Sequence, residues 1–583
     1  MNQEPFLGFA FTEDAGGRVA FRNPAQVIEA NDLGEVRPAL GRVQEALNQG
    51  FYAAGYIGYE AAPAFDPAMK VRPGSRMPLL WFGIYEKPED WNSPQLEEDA
   101  LFELGVWESA ESRERYTASI GRIKEAIAQG ATYQVNHTLR LRTSFRGSGE
   151  GYYRQLARAQ KAEYGAYLRF GGYEVLSVSP ELFFRVEEGR LTTRPMKGTI
   201  RRGRYPDEDV RQRERLTASV KDRAENLMIT DLLRNDLGRI AETGSVEVPE
   251  LFRVEAYPTV YQMTSTVTCR LREGIGLEEL FAALFPCGSV TGAPKISTME
   301  LIAELEEEPR EIYCGAIGYA SPYGKELAFN VPIRTVWIDK EAETAEYSVG
   351  GGVTWDSSAD GEYEEALAKA AVLSHPVEPF HLLESLLLTD GRYWLMERHL
   401  DRLRASAAYF GFPYPEERLI ANLDRMAAEH GEGAYKIRLL LAEDGLVEGD
   451  AAPIVPPSDE RPRIGLAAER VDSADPFLYH KTTQRDRYAR IFATGNGAYD
   501  MLLTNERGEL TEFTRGNLVL EQGGFKWTPP IEAGLLAGTF RDELLARGEV
   551  NEKTLTPDDL KRADRIWFIN SVRGWVEVVL PGV

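Results

Sequence analysis

The run EVLSVSPELFFRVEEGRLTTRPMKGT, residues 174–199, alternates apolar and polar side chains on either side of EEGR. Period-two alternation broken by a glycine-bearing turn reads as an antiparallel hairpin. Near its end a single lysine, Lys197, falls where the last strand runs into a turn. Whether that lysine is surface charge or a reacting group depends on what the rest of the chain brings to it. Upstream, Tyr116, Ile120, Ile123 and Ile127 recur at helical spacing between Ser112 and Gln129, with Gly130 as a stop, and TYQVNHTLRLRTSF follows as a strand. Helix and antiparallel-strand signals interleave as far as EYEEALAKAAVL, which predicts a large α+β domain rather than regular βαβ repeats.

A chain of 583 residues exceeds one ordinary core and implies at least two folding units. The stretch SHPVEPF, residues 374–380, carries two prolines after a helical pattern and is the best boundary. The expected division is 1–104, 105–375 and 376–583, the last opening with the strand-like HLLESLLL and a turn at TDGRY. Hydrophobic residues at 43% and charged residues at 27% fit a soluble globular protein. No membrane-length apolar run or signal-peptide pattern is apparent, so a cytoplasmic location without membrane association is expected. The formal charge of −24 argues against nucleic acid as a partner, though not against a small anion in a locally cationic site. Three cysteines without a CxxC pair are too few for a disulfide framework or a cysteine-rich zinc site.

Five further segments accompany Lys197: SPELFF with Glu181, KDRAENLMITDLLRNDLG with Glu225, FPCGSVTGAPK, VPIRTVW, and VGGGVTWDSSADGEYEEALAKA. Gly350, Gly351 and Gly352 let backbone N–H groups approach an anion, and Arg334 offers a planar fork that matches a carboxylate. Glu362, Glu365 and Lys369 lie at i, i+3 and i+7 of a helix beginning near Glu362, hence on one face. Read alone, that face is a solvated acidic surface with a Glu365–Lys369 pair; beside the other segments, it suits Mg²⁺ held against a substrate carboxylate.

Together these segments, over residues 105–375, resemble the chorismate-utilising enzymes, among them anthranilate synthase component I, aminodeoxychorismate synthase component I and the isochorismate and salicylate synthases. AAGYIGYEAAPAFD resembles the N-terminal portion of the aminodeoxychorismate type. The resemblance implies Glu225 as a magnesium ligand opposite Glu362 and Glu365, and Thr291 and Tyr313 as substrate contacts, although either could be a turn hydroxyl or a core tyrosine. Anthranilate synthases usually carry alanine, in PIAGT, where this chain has Lys197 in RPMKGT. Lysine there implies attack on C2 of chorismate while Glu181 protonates the departing 4-hydroxyl. To act, the amine must be uncharged, through burial or a neighbouring cation such as Arg194. Gln134 in YQVN stands where the water-using relatives carry a lysine base, which argues against water as the nucleophile. VYQMTS, with Tyr261 and Gln262, departs from the His-His pair of many relatives and leaves the role of Gln262 open. None of the cysteines lies in a nucleophile context, so ammonia is expected from a separate glutamine amidotransferase subunit.

From Phe380 onward, RHLDRLRASAAYFGF, AYKIRLLL, FLYHKTTQRDRYA, LLTNERGELTEFTRGNLVL, WTPPIEAGLLAGTFRDELL and FINSVRG occur in order. They resemble the class IV pyridoxal-phosphate enzymes, which include branched-chain and D-amino-acid aminotransferases and 4-amino-4-deoxychorismate lyases. The resemblance implies an α/β domain in which Lys481 is the Schiff-base lysine and Glu512 faces the pyridine nitrogen. Arg402, Thr539 at a helix start and Ser571 would hold the phosphate. Sequence separates lyase from transaminase poorly here, but the first domain's expected product is a lyase substrate. The expectation is a fused chorismate-aminating and pyruvate-eliminating enzyme of 4-aminobenzoate synthesis, with a homodimer through the second domain possible. The alternatives are anthranilate synthase component I joined to an aminotransferase, and a degenerate C-terminal module that only docks the amidotransferase.

Overall fold

The computed structural model describes residues 4–11, 17–91, 101–373, 378–454 and 461–581. Two compact units emerge, one of Met1–Arg201 with Arg213–Val377 and the other of Arg202–Gln212 with Glu378–Val583. Part of the proline-bearing boundary, 374–377, lies outside the described residues.

In the first unit the quoted run forms the strands Tyr173–Ser179, Leu182–Glu187, Arg190–Arg194 and Met196–Arg201. Glu188 and Gly189 both take left-handed φ (47° and 78°), the geometry a two-residue hairpin needs to match the twist of its strands. Lys197 is not in a turn. Pro195 ends one strand, but the chain resumes as Met196–Arg201, paired antiparallel with Val260–Arg270 through a register shift between Met196 and Thr199. Gly198 sits in that bulge at φ 93°. Such a bulge turns a side chain out of the regular alternation, which the two-residue period could not forecast.

Two antiparallel sheets, one of 11 strands and one of 10, form the body of this unit. In the first, Gln134–Gly147 pairs along its length with the glycine-bearing Thr344–Val353; the second carries Lys197. Aromatic side chains fill the space between the sheets, as in Phe9 against Tyr319 (ring centroids 5.4 Å apart) and Trp81 against Phe170 (5.0 Å). Burying each such ring contributes roughly 1.5–3 kcal/mol. The helix Val220–Gly238, capped by Ser219, turns Ile229, Leu233 and Leu237 inward. The helix Ala359–Ala370 begins three residues before Glu362, where Ser358 accepts the N–H of Gly361 at 3.1 Å.

The second unit has a four-stranded sheet centred on Leu382–Thr389 and Ala434–Leu441. The helices Met396–Phe410 and Glu416–Glu429 cover it over a leucine-rich core. An eight-stranded sheet follows, antiparallel except for two short parallel pairs. Residues 202–212 belong to this unit: the Arg204 guanidinium donates to the Ser473 carbonyl at 3.0 Å, and the Tyr205 hydroxyl donates to Glu532 at 3.1 Å. Among the described residues no helix is long and apolar enough to cross a membrane.

Candidate active sites

In the first unit a cavity of about 290 Å³ is lined by Glu181, Lys197, Glu225, Gln262, Tyr313, Arg334, Gly350 to Gly352, Glu362, Glu365 and Lys369. Residues spread over nearly 190 positions of sequence therefore converge on one space. Lys197 is half-buried, its head open to the cavity. Burial is the largest influence on its amine and holds it below the usual lysine range; Lys369 adds to that, while Glu225 and Glu181 pull the other way. Arg194, expected as the depressing cation, instead pairs with Glu163 at 3.2 Å and with Glu255. Glu181 is almost fully buried and burial pushes it up to about 7, against a 2.5 Å hydrogen bond donated by Ser289 and the charge of Lys197. A carboxyl in that range can hold a proton at neutral pH and give it up.

Gly352 is where the amine and Gln134 come together. A β-carbon there would lie 2.0 Å from Gln134 Nε2 and 2.6 Å from Lys197 Nζ, so only glycine leaves room for both. The neighbouring strand Thr335–Asp339 covers this edge of the glycine strand only as far as Tyr347. Beyond it, Gly350 to Gly352 face the cavity with backbone groups open to an anion. Arg334 spends one donor on Gln160 at 2.7 Å and keeps the rest of its fork.

The helix carboxylates fit a magnesium site completed by substrate. Built from Gly351, a β-carbon would lie 2.7 Å from Glu362 Oε2 and 3.9 Å from Glu365 Oε1, so both carboxylates reach over the same glycine. Glu362 is raised by burial and tied to Ser357 at 2.6 Å. Glu365 is lowered: burial would raise it, but Lys369 at 2.8 Å outweighs that. Glu225 is raised by burial on the opposite wall. Among the described residues no three acidic, histidine or cysteine groups close into a cage of their own, and magnesium ordinarily draws remaining ligands from water and substrate.

Thr291 does not reach the cavity wall; its hydroxyl donates to the carbonyls of Cys287 and Gly288 at 3.1 and 3.3 Å. Tyr261 packs away with Leu216 and Met263, while the Gln262 carbonyl oxygen accepts from Thr199 at 2.8 Å. Two contributors had no sequence signal. Ser289 holds Glu181, and Asn226 donates to the carbonyls of Lys197 and Met263, both at 3.3 Å, fixing the bulged strand. All three cysteines are buried; burial pushes Cys269 up to about 11 and Cys287 and Cys314 up to about 12, which keeps them from acting as thiolates.

In the second unit Lys481, Glu512, Arg402, Thr539 and Ser571 line a cavity of about 560 Å³. Lys481 is lowered to about 7 by burial, then by Arg485 and Arg402. Glu512 is raised to about 7 by burial, and accepts from Tyr488 at 2.8 Å and Asn517 at 3.4 Å. Arg402 forks onto Glu384 at 2.9 and 2.7 Å and donates to the Ala537 carbonyl. Glu384 also meets His399 at 2.6 Å, and His399 meets the Thr539 hydroxyl at 3.1 Å. Burial would raise Glu384, but Arg402 and His399 hold it at about 2. Arg402 and Thr539 are thereby locked beside the first turn of the helix Thr539–Ala546, a ready place for a phosphate. A lysine that loses its proton near neutrality, a buried acid across the cavity and that anion-receiving turn fit pyridoxal phosphate.

Residues 8–375 match the family model described as chorismate binding enzyme, and residues 381–580 match amino-transferase class IV. Aminodeoxychorismate synthase component 1 of Salmonella typhimurium is 43% identical over 273 residues, 47% of this chain and 60% of that protein. This chain thus spans about three-fifths of that relative's length. Anthranilate synthase component 1 of Methanothermobacter thermautotrophicus is 34% identical over 397 residues, 64% of this chain and 82% of the other. The crystal structure of anthranilate synthase component I from Streptococcus pneumoniae superposes with a TM-score of 0.52 at 26% identity, covering 64% of this chain and 91% of that one.

Proposed function

Since the chain belongs to the chorismate binding enzyme family, we propose that its first unit aminates chorismate to 4-amino-4-deoxychorismate and its second eliminates pyruvate to give 4-aminobenzoate. The observation that carries this reading is that Lys197, whose amine burial holds below the usual lysine range, and Glu181, which burial pushes up to about 7, line one cavity. Relatives of both the aminodeoxychorismate and anthranilate types match; the amine at position 197 favours the first.

In this reading the Lys197 lone pair forms a bond to C2 of chorismate as both ring double bonds shift toward C4 and the C4–O bond breaks, and Glu181 gives its proton to the hydroxyl, which leaves as water. The ammonium proton on Lys197 returns to Glu181. Ammonia then adds at C4, both double bonds shift back as the C2–N bond breaks, Glu181 gives its proton to the departing Lys197 amine, and the C4 ammonium returns one proton to Glu181. Arg334, Lys369 and the open edge at Gly350 to Gly352 receive the carboxylates. Glu225, Glu362 and Glu365 would hold magnesium, which supplies charge neutralisation at a substrate carboxylate. With no thiol able to hydrolyse glutamine, the ammonia comes from an amidotransferase subunit.

The second reaction falls to the unit expected over 376–583. Pyridoxal phosphate, when bound, supplies an electron sink. Arg402, Thr539 and Ser571 would hold its phosphate and Glu512 would face its pyridine nitrogen, while Lys481 would take the proton from C4 of the aminated ring. The enzyme acts in the cytoplasm, in the supply of 4-aminobenzoate for folate. Supplying chorismate, ammonium, Mg²⁺ and pyridoxal phosphate to the full chain should yield the para isomer and pyruvate. The ortho isomer would overturn this reading in favour of an anthranilate synthase joined to an aminotransferase.

A further inference from the structure

Setting aside Lys481, Glu512 and Arg402, the wall of the second cavity still carries Lys436, Arg438, Arg485, Arg515 and Arg573 and no carboxylate among the described residues. Lys436 and Arg438 stand two apart on the strand Ala434–Leu441, hence on one face, while Ile437 between them enters the leucine core. Arg573 lies in the turn after Arg565–Asn570, across the same cavity.

Two of these cations are already engaged: Arg515 pairs with Asp500 at 3.1 Å, and Arg485 donates to the Thr514 carbonyl and stacks on Tyr488. Among the described residues Arg438 pairs only with Asp450, at 3.8 Å and well exposed, a pairing that contributes little. Lys436 and Arg573 have no ion pair among the described residues, and Arg573 meets only the uncharged Tyr499 ring there, 6.0 Å from its centroid. Lys436 and Arg438 are solvent-exposed at the mouth of this cavity, and the amine of Lys436 is held below its usual range by partial desolvation and then by the like charges of Arg438 and Arg515. In a chain of net charge −24 this local excess of cations is selective for anions.

We infer that Lys436, Arg438 and Arg573 form a carboxylate-recognition wall that selects a dianionic amine substrate over an apolar monocarboxylic amino acid. The cofactor phosphate is already provided for at the Thr539 helix turn, so its charge does not account for them. One substrate carboxylate would need one such group; a wall of three fits a substrate with two. This rests on the proposed elimination and sharpens it, because charge pattern distinguishes the lyase from transaminases of apolar amino acids, which sequence motifs left open.

The test uses the full chain carrying Lys197→Ala, so that the second reaction is followed alone as pyruvate released from supplied 4-amino-4-deoxychorismate. Lys436→Met and Arg573→Met should each raise KM roughly tenfold while kcat stays within about threefold, as expected for loss of a charge-assisted contact to bound substrate. The cofactor absorbance should be unchanged, and added salt should narrow the difference. Unaltered KM in both variants would overturn the inference. If the parent releases no pyruvate, the lyase reading fails by itself, and the same proteins are then compared on glutamate and leucine as amine donors. A preference for glutamate that Lys436→Met removes sustains the wall; equal use of both by the parent overturns it.

Discussion

Lys197 in the first unit and Lys481 in the second are both half-buried on a cavity wall, and burial holds both below the usual lysine range, but the charges that weigh most on each differ in sign. Glu225 and Glu181 outrank Lys369 at Lys197 and favour its charged form, whereas Lys481, brought to about 7 first by burial, is lowered more by Arg485 and Arg402 than Glu384 and Glu512 raise it. A lysine among carboxylates becomes a nucleophile only if one of them keeps its own proton. In the proposed amination that part falls to Glu181, which burial pushes up to about 7. At Lys481 burial and two arginines already bring the amine to about 7 without such a partner, which suits the proposed bond to a carbonyl and proton transfer.

If the two lysines are independent in this way, exchanging either for alanine separates the activities. Lys197→Ala should reduce amination by about 10³-fold or more while pyruvate release from supplied 4-amino-4-deoxychorismate persists. Lys481→Ala should abolish pyruvate release and the cofactor's long-wavelength absorbance while amination persists; loss of both activities in either variant would contradict independence. Next in size is Gly352→Ala. Its β-carbon would displace Lys197 Nζ and Gln134 Nε2, and kcat/KM for chorismate should fall about 10²-fold without a change in cofactor absorbance. Glu225→Gln should raise the magnesium concentration required for half-maximal amination by about tenfold and leave the second reaction untouched. The smallest effect is in the pH profile. Because Glu181 titrates at about 7 and must be protonated, amination should decline as pH rises through 7, by about tenfold per unit at most. Pyruvate release should instead rise through the same range as Lys481, also about 7, loses its proton.

The legible residues are those whose chemistry is carried by type and local spacing. Lys197, Glu181, Glu225 and the Glu362, Glu365, Lys369 face stand on one cavity wall, as do Lys481, Glu512, Arg402, Thr539 and Ser571 on the other. Of the two readings open for Thr291, substrate contact or turn hydroxyl, the structure displays the turn contacts, to the carbonyls of Cys287 and Gly288. Arg194 was misread because proximity along a strand is not proximity of charge, and Glu163 and Glu255 hold it. Glu384 and His399 were missed because an isolated glutamate in a leucine strand and a histidine in a helix show nothing of the chain they form with Arg402 and Thr539. The placement of residues 202–212 with the second unit likewise has no compositional mark.

The order of motifs alone determined the α+β character and the families and singled out Lys197 and Lys481, because residue types at short spacings on strands and helices constrain which side chains share a face. Only the tertiary structure decided which charges weigh most on each of those lysines, that Gly352 is the point where Lys197 and Gln134 crowd together, and that Lys436, Arg438 and Arg573 share one cavity. Proton affinity and charge balance depend on burial and on distances between groups far apart in the chain, and neither is written in local spacing.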